Sequence, residues 1–260
     1  MAYRIDLRCD LVASEVVTRI VDDTLARVND RLCLAGVDFE LVVAAGTSSV
    51  VGRRIHVAPR PARGALTEGD WFELLFAHEY THLVLEARWK PGPALWWEGL
   101  PIHLGDDHVR TRATGLDYHA HCRALDDADR LLPLVPLIGA RGFYARRRDH
   151  RVDLQAGSFC GFLLDAFGVA PLRALLTAYQ PPSAESPRVS IDPLLRHHLG
   201  APFDELERRW RAFLRTRVAA PQRAVCAEVP PGPGRCDGCY RPLDGACCPS
   251  CGPVPLEVVP

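Results

Sequence analysis

Residues 68–89 read EGDWFELLFAHEYTHLVLEARW, and this stretch decides how the rest of the chain is read. It is long enough for a helix of about six turns and is closed by Pro91-Gly92-Pro93, which cannot continue one. An α-helix turns about 100° per residue, so His78 and His82 project from one face, one turn apart. Two imidazoles so placed can grip one metal ion. Glu79 sits on the flank of that face, displaced from ligand position but suited to take a proton from activated water. The motif lies between LLFA and LVL, so the helix is apolar on both sides of it. Burying those polar groups without an ion would cost ~1–3 kcal/mol for each unpaired atom.

A third protein ligand is needed. Glu98, in ALWWEGLPIHLGDD, is the first candidate, because a second helix returning after the PGP turn brings its carboxylate back towards the histidines. Glu86 lies on the same helix and would have to reach back past His82. His103, Asp106 and Asp107 remain as alternatives. The helix around Glu98 is expected to begin near Trp96 or Trp97, so that Pro101 falls in a first turn.

Outward from this region, YRIDLRC alternates as a strand does, and residues 14–33 place Val16, Val17, Ile20, Val21, Leu25 and Val28 on one helical face. FELVVAAG and RRIHVAP read as further strands. Beyond Gly105 the pattern is helical, with helices expected over 118–130, 153–167, 171–179, 193–199 and 203–218. The fold class is α+β: a small N-terminal sheet and a helical region in one domain over residues 1–218. Residues 219–235 are rich in Pro and Gly and read as a linker.

The tail holds five of the ten cysteines, between Cys236 and Cys251. Cys236-x2-Cys239 and Cys248-x2-Cys251 are paired knuckles with the spacing of a structural four-cysteine zinc site, expected over 236–252 and followed by a short tail, 253–260. Disulfides are the competing reading. They are disfavoured by an N-terminus without a secretory apolar core, which points to a reducing, cytoplasmic setting. Cys9, Cys33, Cys122 and Cys160 lie within apolar patterns and read as core residues.

Lys plus Arg number 31 and Asp plus Glu 32, for a net charge of −1. That balance gives no global case for nucleic acid or an anionic membrane as partner, and no segment has the ~20 apolar residues of a membrane span.

HEYTH followed by WWEGLPIHL resembles the gluzincin metallopeptidases, in particular their peptidase-MA-like group. AGSFCGFLLDAFGVAPLRALL and LGAPFDELERRWRAFL are similar to later helices of that group, so the resemblance covers roughly residues 40–216. It implies a catalytic zinc held by His78, His82 and Glu98, with Glu79 as general base and a peptide or protein as substrate. It also implies that RRIHVAP is the sheet edge along which an extended peptide pairs. An oxyanion donor is expected from the downstream helices. Asp153 and Leu154 stand where an aromatic donor is usual, which leaves Tyr144 as the nearest substitute, with Tyr118, His119 and His121 behind it. Ile102 stands where thermolysin-like members carry a carboxylate behind the metal. The alternative function is a peptidase-like binding or regulatory module that is weakly active or inactive and meets a protein partner through its zinc ribbon.

Overall fold

The computed structural model describes residues 1–9, 11–62, 65–146, 149–180, 187–221, 247–248 and 252–253, with backbone alone at 187–189 and in the two C-terminal pairs. The fold is α+β. Strand β1 (Tyr3–Leu7) leads through helix α1 (Ser14–Leu32) to β2 (Phe39–Val43), followed by β3 (Ser49–Val51) and β4 (Arg54–Val57). The sheet order is β1-β2-β4-β3. β1, β2 and β4 run parallel, with Tyr3 opposite Phe39 and Leu41 opposite Ile55, while β3 is antiparallel to β4. Gly52, at φ +60°, opens the two-residue turn joining β3 to β4, where a side chain would be strained.

This order corrects the expectation that RRIHVAP is an edge. β4 lies between β2 and β3, and the edge beside it is β3. β3 was not anticipated because it has three residues, too few for alternation to show.

Helix α1 buries Val17, Ile20, Val21, Leu25 and Val28. Its C-cap is Cys33 in the left-handed conformation, exposed, so Cys33 is a helix end and not core; Cys9 is half-buried, while Cys122 and Cys160 are buried as expected. Helix α2 (Glu68–Arg88) starts at a reciprocal cap: the Asp70 N–H donates to Thr67 Oγ1 at 3.1 Å, and the Thr67 N–H donates to Asp70 Oδ2 at 2.9 Å. Phe72, Phe76 and Tyr80, spaced four apart, stack along α2, and Phe39 of β2 packs on Phe76 and Tyr80. The three rings of α2 are fully buried, and burial of such a ring is worth about 1.5–3 kcal/mol. That ladder fastens α2 to the sheet and fixes which side of the helix carries His78 and His82.

Helix α3 (Ala94–Pro101) begins right after Pro93, two to three residues earlier than expected. Pro101 is therefore in its last turn. Pro101 has no N–H for the ladder, and the chain continues as a π-helical stretch, Ile102–Asp107, which absorbs the irregularity. Then come α4 (His108–Thr114), α5 (Tyr118–Asp127), α6 (Ala140–Arg146), α7 (Arg151–Phe167), α8 (Val169–Ala178), α9 (Pro187–Leu199) and α10 (Phe203–Leu214). Gly99 lets α3 lie directly on α7: a Cβ there would come within 2.7 Å of the Ala156 carbonyl oxygen. No single helix among the described residues is long and apolar enough to cross a membrane; α7 and α8 reach the length together, but bend by 117°, and α7 is largely buried in the core.

In the tail, β5 (Cys247–Cys248) pairs antiparallel with β6 (Gly252–Pro253). Cys236, Cys239 and Cys251 lie outside the described residues, and only the backbone of Cys248 is described. Most of the 219–235 stretch, read as a linker, likewise lies outside them.

Candidate metal centre

Helices α2 and α3 together build the site. His78 is 8% exposed and Glu98 5%, and the rings of His78 and His82 lie 5.0 Å apart. Glu98 is turned inward from α3 so that its Oε2 stands 3.7 Å from Nε2 of His78 and 3.7 Å from Nε2 of His82. Among the described residues these three form the one group of His, Cys, Asp or Glu side chains whose ligand atoms lie within 4.8 Å of one another.

The separations suit an ion. Zinc held at about 2.0–2.1 Å by nitrogen and oxygen in a tetrahedron places its ligand atoms about 3.3–3.4 Å apart. The carboxylate stands just outside hydrogen-bond reach of both imidazoles, close to the spacing that a shared ion sets. Two neutral nitrogens and one carboxylate are also the donor types that zinc prefers, with a fourth position left over for water.

Two further residues hold the ligands. Tyr144, on α6, donates its hydroxyl to Glu98 Oε1 at 2.6 Å, which leaves Oε2 directed at the histidines. Asp106, in the π-helical stretch, places Oδ1 3.4 Å from His78 Nδ1. A carboxylate on the far nitrogen fixes the orientation of a ligating imidazole and increases its basicity. Two α turns from Glu98 end near position 105; the extra residue of a π turn carries that point on to Asp106. The role that Ile102 cannot fill is thus available four residues later.

The π-helical stretch is held tightly against α2. A Cβ on Gly105 would fall 2.9 Å from the His78 amide nitrogen and 3.1 Å from the Leu74 carbonyl oxygen, so only glycine allows this approach. Arg27 of α1 donates to the Leu104 carbonyl, and its other nitrogen lies 3.5 Å from Glu73 of α2.

The electrostatics follow from these partners. Burial opposes charge on His78, but Asp106 and Glu98 outweigh it and lift the ring's pKa to about 10. Burial likewise opposes charge on Glu98, yet His78, His82 and Tyr144 hold its carboxyl far below the usual range. Without an ion the cluster thus keeps a proton on His78, which metal must displace. Glu79 is half-buried beside His78, which feels its charge.

The remaining candidates take other places. His103 Nδ1 lies 3.2 Å from Asp107 Oδ2, and Asp107 also accepts from the Tyr118 N–H at 2.7 Å, so neither residue joins the ligand cluster. His119 is buried against Ser158 Oγ at 2.9 Å. Tyr118 and His121 are also buried in α5, within the helical core. Trp97 packs its ring 5.4 Å from that of His82, forming a wall of the site.

Comparison of the chain with protein-family models, with characterised proteins and with solved structures returns no match. The functional reading therefore rests on the residues themselves.

Proposed function

We propose that the chain is a zinc-dependent peptidase that hydrolyses peptide bonds with Glu79 as general base. The observation that carries this reading is the placement of Glu98 Oε2 at 3.7 Å from both histidine nitrogens, next to a motif whose flanking carboxylate is half-exposed. His78, His82 and Glu98 would hold the ion, with Asp106 orienting His78 from behind. Bound there, zinc supplies Lewis acidity that acidifies water and polarises a carbonyl group. Glu79 takes the proton from the attacking water and passes it to the departing amine. Tyr144 holds Glu98 in the resting site, and its hydroxyl is the donor we assign to the negative charge that develops on the carbonyl oxygen. The cysteine tail is proposed to fold around a second, structural zinc and to offer a surface for a protein partner.

One observation favours a second reading. The Tyr144 hydroxyl is already engaged by Glu98, as suits a body that holds zinc without turnover and acts through its tail. Glu79→Gln separates the two. The peptidase reading expects this variant to keep its zinc and to lose cleavage of a peptide pool by at least about a thousandfold. Identical behaviour of wild type and variant leaves the binding module.

A further inference from the structure

Helix α1 reaches the metal centre through one side chain. Ile20, Thr24 and Arg27 are spaced by four and three, so Arg27 continues a line whose first two members are buried where α1 packs on α2. Its side chain is 23% exposed, and Nη1 donates to the Leu104 carbonyl of the π-helical stretch. The other terminal nitrogen, Nη2, lies 3.5 Å from Glu73, too far for a strong hydrogen bond. Glu73 is already engaged by Arg112 at 2.7 Å, and Arg112 also holds Asp70 at 2.6 Å. Burial works against the charge on Arg27, and Glu73 does not make up for it, so the pKa is lowered. The close partner of this guanidinium is therefore a backbone oxygen and not a carboxylate.

A backbone carbonyl is an uncommon target inside a helix. In an α-helix each C=O accepts from the N–H four residues on, whereas π winding moves that acceptance to the fifth residue and opens the turn. A side chain that donates into such a turn supplies the carbonyl with a partner outside the ladder, and so favours the wider winding. Leu104 stands two residues before Asp106, whose Oδ1 lies 3.4 Å from His78 Nδ1. If the stretch rewound as α, Asp106 would turn by about 100° and leave the imidazole. Gly105 permits the close approach to α2, but a residue without a side chain cannot select one winding over another. Arg27 can.

We propose that Arg27 is a positioning residue for the metal centre: its bond to the Leu104 carbonyl holds the π winding and thereby keeps Asp106 on His78. The inference rests on the zinc-binding part of the proposed function and is independent of hydrolysis.

The test is a double-mutant cycle on zinc affinity, measured by competition with a chromophoric chelator. The full-length chain is used with Cys236, Cys239, Cys248 and Cys251 changed to Ser, so that only the histidine site competes. R27M should weaken zinc binding about tenfold, but less than about twofold once D106N is present, because the path through Asp106 is already cut. E73Q removes the ion pair and leaves the carbonyl bond, and should change affinity less than about twofold. R27M/E73Q should behave as R27M does, and replaces it if loss of the cation beside Glu73 prevents folding. Equal losses with and without D106N, a loss in E73Q that matches R27M, or unchanged affinity in R27M overturns the proposal. If the chain binds no zinc, the metal reading fails by itself, and the imidazole proton of His78 decides what is left. Nuclear magnetic resonance of histidine-labelled protein should show an Nδ1 proton protected by Asp106 in the chain with Arg27 and Asp106 intact, and lost in both D106N and R27M/E73Q. A signal absent from the intact chain, or kept in R27M/E73Q, overturns the proposal.

Discussion

Asp106 Oδ1 lies 3.4 Å from Nδ1 of His78, while Nε2 of the same ring faces Glu98 Oε2 at 3.7 Å. One imidazole is thus held between two carboxylates from different parts of the chain, one suited to share an ion with it and one suited to orient it. Asp106→Asn keeps the shape and removes the charge. Zinc affinity at the histidine site is expected to fall about 10–100-fold, and the metal-free protein, in which the buried protonated His78 loses this partner, should melt at a lower temperature. Competition with a chromophoric chelator measures the first and thermal unfolding the second.

Gly105 makes that contact possible. Gly105→Ala drives a Cβ into the backbone of α2, at the His78 nitrogen and the Leu74 oxygen, where no flexible side chain can give way. The variant should lose about 1–3 kcal/mol of stability by denaturant titration, and should bind zinc more weakly because Asp106 is displaced.

Tyr144→Phe deletes one hydroxyl from a side chain that is about half exposed. Zinc content should be retained, since the three ligands remain, while cleavage should fall about a hundredfold through loss of the donor. An unchanged rate would remove Tyr144 from the mechanism and leave it as a support for Glu98.

Acid should destabilise the metal-free protein in two stages. Burial holds the His119 pKa below 6.5, so the unfolded chain takes up a proton near 6.5 that the folded one refuses. Its contribution is complete above about 6.5 and declines as pH falls below that value. Burial opposes charge on Asp107, but His103 and the Tyr118 N–H hold its carboxyl below 3.8. Its contribution is complete above about 3.8 and is lost only at lower pH. Melting temperatures measured across pH 3–8 with a chelator present should show both, and His119→Gln should remove the first.

Much of this was legible in the sequence, for reasons particular to each element. His78, Glu79 and His82 share a helix, where spacing alone fixes direction, and the PGP turn made the return of Glu98 a short step. Asp106 was read only as an alternative ligand, because its position depends on a π turn that no α-helical count anticipates. Pro101 was the visible signal: placed in a last turn instead of a first, it accompanies the change in winding. β3 has three residues, too few for alternation to show, and the edge position of β4 is an expectation from the resemblance alone, which the sheet order overturns. Arg27 comes from α1, and nothing in its local sequence ties it to the Leu104 carbonyl or to Glu73 of α2.

The most direct measurement is zinc content and X-ray absorption of a full-length chain in which Cys236, Cys239, Cys248 and Cys251 are changed to Ser, with and without Glu98→Ala. The account predicts about one zinc ion per chain in a shell of nitrogen and oxygen with no sulfur, lost or severely weakened when Glu98 is replaced. A chain that binds no zinc, or whose zinc is indifferent to Glu98, would contradict it.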